Sequence, residues 1–302
     1  MKFYYIVDSQ NKGRTVRSIL KNEFRFSNSL IKKFKYHGTV YCNRIPVYMN
    51  HVVETNDTVE AEISFEETSK NVKPVKMDLC ILYEDEYLIA LDKPPGIVVH
   101  PVGMHSENTI ANGLMHYFIS RGQQIKIHPV SRLDRDTTGV IVFSKNEFIH
   151  EKLSNQMKSK QYHKEYTGIV HGCPIEPSGI INRPIARTEG SIILREVSES
   201  GSPSVTRYNV TKYLNNAAMV NFILETGRTH QIRVHCQSIG HPLVGDTLYS
   251  DIATELISRQ ALHSHYVSFI HPATDQIVTI SSPLPHDIIN LLDSKKIKAD
   301  KF

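Results

Sequence analysis

The feature of this sequence that most restricts its fold is a succession of short β-like runs that fills the chain from residue 79 onward. Each run has five to seven residues, is rich in Val, Ile, Leu and Tyr, and is typical of a strand in a packed sheet. The runs are LCILY, LIALD, GIVVH, VIVFS, YTGIVH, MVNFILE, YVSFI and QIVTI. Helical patterns such as those at 108–120 and 229–239 interrupt them. This pattern predicts an α+β domain built on a mainly antiparallel or mixed sheet with flanking helices.

Basic residues are concentrated near the N-terminus. The whole chain has a net charge of +4, but residues 1–76 contain 13 Lys and Arg against 8 Asp and Glu, and residues 10–50 contain nine against one. A nucleic-acid-binding module attached to a near-neutral body has this charge distribution. A solvated basic surface without a partner has it too, so charge alone leaves both interpretations open.

Two helices and several short strands are predicted within the basic segment. Residues 14–23 have apolar side chains at helical spacing, and residues 26–38 begin with Ser27 as a candidate N-cap and end with Gly38 as a candidate C-cap. The residues TVYCN, 39–43, alternate as a strand does. Further short strands are suggested by Val47, Val52 and Val59.

This segment resembles the ribosomal-S-four-type RNA-binding domain, a small α/β module of two helices and short strands. The resemblance rests on the paired helices, the step from Gly38 to Val40, Asn43 at the turn, and Asp57 before the last strand. Asn56 stands where the family usually has Gly, and both residues tolerate turn geometry. The resemblance implies that the segment binds RNA. The basic residues placed to contact a phosphate backbone are Arg25, Lys32, Lys33 and Lys35.

The composition divides the chain into four parts. The residues ETSKNVKPVK, 67–76, lack apolar periodicity and contain Lys and Pro, which is typical of a linker. We therefore predict an RNA-binding domain over 1–66, a linker over 67–76, a catalytic domain over 77–290 and a C-terminal tail over 291–302.

Cysteine usage and hydropathy predict a cytoplasmic protein. The four cysteines lie far apart, without the spacing of a disulfide framework or a zinc site. The start MKFYYIVDSQ is too short in apolar residues for a signal peptide, and no run of about 18 apolar residues predicts a membrane span. No heptad repeat or extended apolar patch is visible, so we expect a monomer.

The stretch SRLDRDTTG, residues 131–139, allows two interpretations of Asp134. Short polar side chains followed by Gly139 favour a turn before the buried run VIVFS. A carboxylate held in place for chemistry is the other interpretation. The local sequence does not decide between them.

Five segments in order resemble the motifs of the RluA/RluD-type pseudouridine synthases, over roughly residues 79–285. They are YEDEYLIALDKPPGIVVHP, SRLDRDTTG, KEYTGIVHG, ETGRTHQIRVHCQSIGHPLVGDTLY and RQALHSHYVSFIHPAT. The resemblance implies the pseudouridine synthase fold and the conversion of uridine to pseudouridine in RNA. This reaction breaks the carbon–nitrogen glycosidic bond, turns the uracil and joins it again through carbon 5. No atoms are gained, so no cofactor or metal is expected.

The resemblance also assigns residues to the reaction. Asp134 becomes the catalytic carboxylate, either as nucleophile at the anomeric carbon or as base for the ribose 2′ proton. Arg233 becomes the nearby cation that favours its ionised form. Tyr166 becomes the aromatic residue that stacks on the target base. Further substrate-binding residues are Arg132, Lys164, Arg228, His230 and Gln231. Arg132 is expected to fill the space that the flipped uridine leaves.

The predicted helix at 229–239 gives Arg233 a fixed position. Thr229 is a candidate N-cap, and Ile232, Cys236 and Ile239 form a core-facing stripe at helical spacing. Arg233 lies off that stripe, so it can reach a cleft from a rigid element. A surface arginine on an amphipathic helix has the same local pattern.

Three alternatives compete with this function. The pattern Asp134-x-Asp136-x-Thr138 matches aspartyl-phosphate phosphatases, but Pro129 and Arg132 interrupt the strand that should precede it. Histidines such as those at 230, 235, 263 and 265 suggest zinc, but no ligand set has a recognisable spacing. A non-catalytic RNA-binding or ribosome assembly factor with a decayed synthase domain is the third, although the catalytic set is intact. One departure from the family, Ser131 in place of the usual His, leaves the local packing of the loop in question.

Overall fold

A computed structural model describes residues 2–37, 40–62, 72–101, 107–294 and residue 297. Its N-terminal part has six elements: β1 (Lys2–Ile6), α1 (Val16–Asn22), α2 (Asn28–His37), β2 (Val40–Cys42), β3 (Ile45–Val47) and β4 (Thr58–Glu62). The strands form an antiparallel sheet in the order β1-β4-β2-β3. Two helices therefore pack with one small sheet, as the sequence predicts.

Side chains at the helix starts explain where α1 and α2 begin. The Thr15 hydroxyl accepts the Ser18 amide N–H, and the Ser27 hydroxyl accepts the Leu30 N–H at 3.1 Å, so Ser27 is the predicted N-cap. Val52 makes only an isolated bridge to Thr15 and belongs to no strand. The predicted C-cap Gly38 lies outside the described residues.

The larger part of the chain contains the remaining sixteen elements of the described ranges. They are β5 (Cys80–Glu84), β6 (Leu88–Lys93), α3 (Ile110–Ile119), β7 (His128–Pro129), β8 (Thr138–Ser144), α4 (Glu147–Lys158), β9 (His163–His171), β10 (Ser178–Asn182), β11 (Ile185–Arg187), β12 (Arg195–Val197), β13 (Val205–Leu214), β14 (Ala217–Leu224), α5 (Gln231–Ser238), β15 (Leu262–Ile270), β16 (Ile277–Ser281) and α6 (His286–Asp293).

Ten of these strands form one mixed sheet, which confirms the predicted α+β class. The order along the sheet is β10-β13-β14-β9-β15-β8-β6-β5, with β16 on β15 and β7 on β8. Among the described strands, β8 and β15 pair in parallel and every other pair is antiparallel. β11 and β12 form a separate hairpin.

The middle strand β8 shows why this sheet is buried on both faces. Val140 and Val142 pack in an apolar cluster with α4 and the N-terminal part, whereas Ile141 and Phe143 pack in a second cluster with α3 and α5. Because successive side chains of a strand point to opposite faces, a sheet covered on both sides needs a continuous apolar run. VIVF in β8 is such a run.

The two parts of the molecule meet at an aromatic contact. Phe148 of α4 lies against Phe3 and Phe26, with ring centroids 4.9 and 5.4 Å away. Lys33 of α2 forms an ion pair with Glu147 at the start of α4. The N-terminal part therefore shares an apolar core with the large sheet.

Besides the strand at Val52, two predictions about secondary structure were wrong. GIVVH, residues 96–100, is a loop rather than a strand: Gly96 has a positive φ, and the carbonyls of Val98 and Val99 accept the first N–H groups of α3. Thr229 does not cap α5, because the N-cap is His230, whose φ of 57° starts the helix one residue later and without a side-chain cap bond.

Helices of the described ranges are all too short or too polar to cross a membrane.

Candidate active site

Asp134 lies in the loop between β7 and β8 and combines the two interpretations of its sequence. Its backbone carbonyl accepts the Thr137 N–H at 3.2 Å, as in a turn. Its carboxylate, one quarter exposed, lines a cleft of about 750 Å³. The cleft also contains residues from β9, from the segment 224–230 and from α5. Asp134 is therefore a turn residue whose side chain opens into a cleft.

Arg233 stands beside this carboxylate and is held by a second one. Its Nη1 is 3.6 Å from Oδ2 of Asp134, while its Nε and Nη2 donate to the two oxygens of Asp246, both at 2.7 Å. The Asp246 side chain is completely buried, and Arg233 is nearly so. This bidentate pairing fixes the plane of the guanidinium.

The charge of Arg233 is maintained by its carboxylate neighbours. Burial alone lowers the pKa of an arginine, but the hydrogen bonds and charge of Asp246, together with Asp134, raise the pKa of Arg233 above its usual value. A permanent cation therefore faces one oxygen of Asp134.

His230 faces the other oxygen. Its Nε2 is 3.9 Å from Oδ1 of Asp134, and its Nδ1 is 2.8 Å from the Tyr249 hydroxyl. Burial is the largest influence on the imidazole and lowers the pKa of His230, although Asp134 acts in the opposite direction. The imidazole is therefore uncharged near neutral pH.

Tyr166 comes from β9 and is almost entirely buried at the cleft. Burial and then the Asp134 charge raise the pKa of Tyr166 far above its ordinary value, so the phenol stays protonated. β9 pairs with β14 and β15 on its two sides, with Tyr166 opposite Phe222 and Ser264. The ring is thus held by a central strand of the sheet.

Lys164 shares the cleft face of β9, two residues before Tyr166. Burial lowers the pKa of Lys164 to about 8. Within the described ranges its ammonium has no hydrogen-bond or ion-pair partner, and it lies beside Gly227, where an added Cβ would be 3.6 Å from Nζ. A half-buried cation without a partner is free to bind an anion from solution.

The other predicted cleft residues differ in whether their polar groups are already bonded within the protein. Arg132 and Arg228 both line the cleft, and Arg228 Nε donates to the Pro203 carbonyl at 3.2 Å. Gln231 lines it as well, but its amide makes four bonds inside the protein, with Thr226, Arg228, Val205 and Thr206. Gln231 therefore has no free donor or acceptor for a substrate. Ser131, at the position where the family usually has His, is also in the cleft wall.

The candidate RNA-binding residues of the N-terminal part lie outside this cleft. Arg25 is exposed in the turn between α1 and α2, with a φ of 53°, and Lys32 is exposed on α2. Lys33 pairs with Glu147. Lys35 belongs to α2, and its side chain is outside what the structure describes.

Lys93 supports the loop that carries Asp134, and the sequence analysis did not single it out. Its fully buried ammonium donates to the carbonyls of Pro94, Ile97 and Arg135 at 2.7–2.9 Å. Burial lowers the pKa of Lys93 to about 7, against the opposing charges of Asp136 and Asp134. Because Arg135 follows Asp134, Lys93 ties the loop of Asp134 to the loop after β6. The feature of the sequence that marks this position is a lysine within the apolar run LIALDKPPG.

Gly139 anchors the other end of the loop. Its φ is 107°, and an added Cβ would lie 2.2 Å from the backbone oxygen of Ser264. Only glycine allows this approach of β8 to β15. The Thr138 hydroxyl is 2.9 Å from His263 Nδ1 across the same contact.

The histidines considered for zinc do not converge. Across the described ranges, no group of three His, Cys, Asp or Glu side chains could hold a metal ion. His235, for example, is bonded to Thr206 and to the Arg183 carbonyl.

Comparison with known proteins gives consistent similarities. The family profile described as RNA pseudouridylate synthase matches residues 87–238. The RNA pseudouridine synthase YhcT of Bacillus subtilis is 36% identical over 288 residues, which are 95% of both chains. The ribosomal large subunit pseudouridine synthase D of Buchnera aphidicola subsp. Schizaphis graminum is 33% identical over 296 residues, 93% of both chains.

A solved structure is similar in fold. Human RNA pseudouridylate synthase domain containing 4 aligns with a TM-score of 0.59 and 22% identity, covering 74% of this chain and 95% of the human one. The fold of this chain thus has a structural relative.

Proposed function

The chain belongs to the RNA pseudouridylate synthase family, of the RluA/RluD type, and from that premise we propose that Asp134 is the carboxylate that acts on the nucleotide. The enzyme isomerises uridine to pseudouridine in RNA. The observation that supports Asp134 is its position: it opens into the cleft between a permanent cation, Arg233, and an uncharged imidazole, His230.

The geometry suits a carboxylate that must be ionised and accessible. The Arg233 cation lies beside one of its oxygens, and partial exposure leaves one side open to a ribose. The same placement serves attack at the anomeric carbon and removal of the 2′ proton. In either case the uracil has to leave the sugar, turn and return within the cleft.

Tyr166 and the cleft cations are proposed to hold the nucleotide. Tyr166 is uncharged and rigid, which suits stacking on an extruded base. Lys164 and Arg228 are proposed to bind the RNA phosphates, since the Lys164 ammonium is unpartnered among the described residues. Arg132 is proposed to take the place of the flipped uridine in the RNA stack.

We propose large-subunit ribosomal RNA as the substrate, with transfer RNA as the other candidate. The support is the printed name of the Buchnera relative, which this chain matches over nearly its whole length. The basic N-terminal part, proposed to be an S-four-type RNA-binding domain, would add non-specific affinity through Arg25, Lys32 and neighbouring lysines. We further propose that the protein is a cytoplasmic monomer.

Tritium release from RNA labelled at uracil carbon 5 tests the reaction. RNA from cells lacking this protein is incubated with the wild type, with Asp134→Ala and with Asp136→Asn. Asp136 is the matched control, because it lies in the same loop but pairs with Arg135. We expect release by the wild type and Asp136→Asn and none by Asp134→Ala.

Fractionated RNA identifies the substrate in the same assay. Release from the large ribosomal RNA and not from transfer RNA supports the proposed substrate, and the reverse assigns the enzyme to transfer RNA. Retained RNA binding without release by the wild type on either RNA would instead favour a non-catalytic RNA-binding or assembly factor.

A further inference from the structure

Two nitrogen groups flank the two oxygens of Asp134, and they differ in charge. Arg233 Nη1 stands 3.6 Å from Oδ2, and His230 Nε2 stands 3.9 Å from Oδ1. Both distances exceed that of a hydrogen bond by less than 1 Å. Hydrogen bonds of catalytic groups are often long without substrate and shorten when it binds. A small movement of the carboxylate therefore brings it into contact with both groups.

Tyr249 determines which nitrogen of His230 carries the proton. The Arg195 amide N–H donates to the Tyr249 hydroxyl oxygen at 2.9 Å, and that hydroxyl is 2.8 Å from His230 Nδ1. A backbone N–H can only donate, so the hydroxyl oxygen accepts there and its own hydrogen remains to be donated. No other acceptor for this hydrogen is found in the part of the chain that the structure describes. Nδ1 is therefore the acceptor, and the proton lies on Nε2, which faces Asp134.

We propose that His230 is an uncharged hydrogen-bond donor that holds Asp134 in its reactive orientation, and that Tyr249 is a positioning residue that maintains the required tautomer. The inference rests on the proposed role of Asp134. In this tautomer Nδ1 accepts the Tyr249 hydroxyl and Nε2 carries a proton. Neither ring nitrogen is then free to accept a proton, so His230 does not act as a general base. The relay runs from the Arg195 N–H through Tyr249 and His230 to the carboxylate.

An uncharged donor suits this position because Arg233 already supplies a full positive charge. A second cation would stabilise the carboxylate further and make it a weaker nucleophile or base. The charged groups around His230 are Asp134 and Asp246, which raise its pKa, and Arg233 and Arg195, which lower it together with the dominant effect of burial. Their net effect lowers the pKa of His230, so the neutral form prevails at pH 7.

The backbone of His230 indicates that its placement has a cost. The residue is in the left-handed region, at φ 57° and ψ 21°, a backbone conformation that is unfavourable for a residue with a side chain. It is also the N-cap of α5, yet its side chain makes no capping bond. The imidazole is thus not used to start the helix, and its bond to Tyr249 directs it to the cleft instead.

Replacement of His230 distinguishes a donor from an acid or base. We expect His230→Ala to lower kcat for tritium release roughly tenfold or more, the value of one hydrogen bond to a charged group, with little change in KM. His230→Gln places an amide N–H near the position of Nε2 and should restore kcat to within a few fold of the wild type. A Gln variant as inactive as the Ala variant would overturn the proposal.

The pH profile supplies a readout that a purely structural role would not change. Wild-type kcat should fall as pH drops through the lowered pKa of His230, because protonation adds the second charge. His230→Gln should lack this limb, and an unchanged limb would contradict the role. Tyr249→Phe should lower kcat several fold. Tyr213→Phe is the control, since its hydroxyl bonds to the Pro174 carbonyl and neither residue lines the cleft.

Nitrogen-15 spectra of histidine-labelled protein test the tautomer without any assay of activity. The resonances absent from His230→Gln identify His230. At pH 7.5 we expect Nδ1 unprotonated and Nε2 protonated, and the opposite tautomer would overturn the relay. A wild type that releases no tritium refutes the proposed function while the spectra still decide the tautomer. If the wild type is active and His230→Gln has a kcat as low as that of His230→Ala, this inference alone is refuted.

Discussion

At the scale of single residues, the cleft depends on the Arg233 cation, which lies beside Asp134 and is held in place by the Asp246 carboxylate. Asp246 is fully buried and gives both oxygens to Arg233, and its Oδ1 also accepts the N–H groups of Leu248 and Tyr249. One carboxylate thus places both the cation beside Asp134 and the tyrosine behind His230. Asp246 touches neither Asp134 nor the open part of the cleft, so its effect on chemistry would be indirect.

Removing the Asp246 carboxylate should damage stability and activity together. In Asp246→Ala the Arg233 charge stays buried without its partner, which typically costs about 3–5 kcal/mol of unfolding free energy. The expected result is a large loss in urea denaturation and a fall in kcat. The control is Glu62→Gln in the exposed pair with Lys2, where about 0–1 kcal/mol is expected. Similar small losses in both variants would show that Arg233 does not depend on Asp246.

At the scale of elements, α4 connects the N-terminal part to the part that contains the large sheet and the cleft. Its first turn carries Glu147 and Phe148, which contact the N-terminal part, while Ser154, Met157 and Lys158 further along line the cleft. One 12-residue helix, about 18 Å long, therefore spans the distance between the two. Deleting the N-terminal part would expose Phe148, so loss of RNA affinity after truncation is not a clean measure of binding by that part.

A point substitution tests the packing of the N-terminal part on α4 separately from its RNA binding. Phe148→Ala should lower the unfolding free energy by about 3–5 kcal/mol, because the ring is buried among Phe3 and Phe26. Hydrogen exchange should show the loss of protection in α1, α2 and the start of α4. Phe118→Ala is the matched control, since its equally buried ring packs in the other apolar cluster. Equal exchange patterns in the two variants would mean that the parts do not meet through Phe148.

The elements also show what the sequence could and could not predict. Strands such as β6, β8 and β9 were predicted because each contains a β-like run, LIALD, VIVFS or YTGIVH. The helix α4 was missed because its three buried residues, Phe148, Ile149 and Leu153, are scattered among polar ones. GIVVH was wrongly predicted as a strand, since an apolar run packed as a loop looks the same in sequence.

Only some residues of the candidate site were predicted from the sequence. Resemblance to a family identified Asp134, Tyr166 and Arg233, each within a recognisable motif, and the structure brings all three to one cleft. Nothing in the sequence assigned roles to Lys93 or Asp246. Their functions arise from contacts between segments distant in the chain, such as Lys93 with the Arg135 carbonyl, and no local spacing encodes such contacts.

At the scale of the whole molecule, partly or fully buried histidines make stability depend on pH. Burial is the largest cause that lowers the pKa of each of six: His150, His171, His230, His235, His263 and His265. The unfolded chain holds these histidines near the ordinary pKa of about 6.5. Between that value and the lowered pKa, the unfolded state binds more protons than the folded state, so the unfolding free energy decreases as pH falls.

We therefore expect acid to weaken the fold well above the range in which carboxylates titrate. Urea denaturation at pH 7.5, 6.5, 5.5 and 5.0 should show a steady loss of unfolding free energy below about pH 6.5, each histidine contributing about 1.4 kcal/mol per unit by which its pKa is lowered. Carboxylates with lowered pKa, such as Glu84 and Asp85, reduce the unfolding free energy only nearer pH 4.

The variant His235→Gln tests whether buried histidines cause this loss. His235 is fully buried, its Nδ1 accepts the Thr206 hydroxyl, and its Nε2 donates to the Arg183 carbonyl. Only the neutral ring can make this pair of bonds. The variant should be less stable at pH 7.5 but lose less between pH 6.5 and 5.0, and a slope equal to that of the wild type would show that His235 is not among the titrating groups.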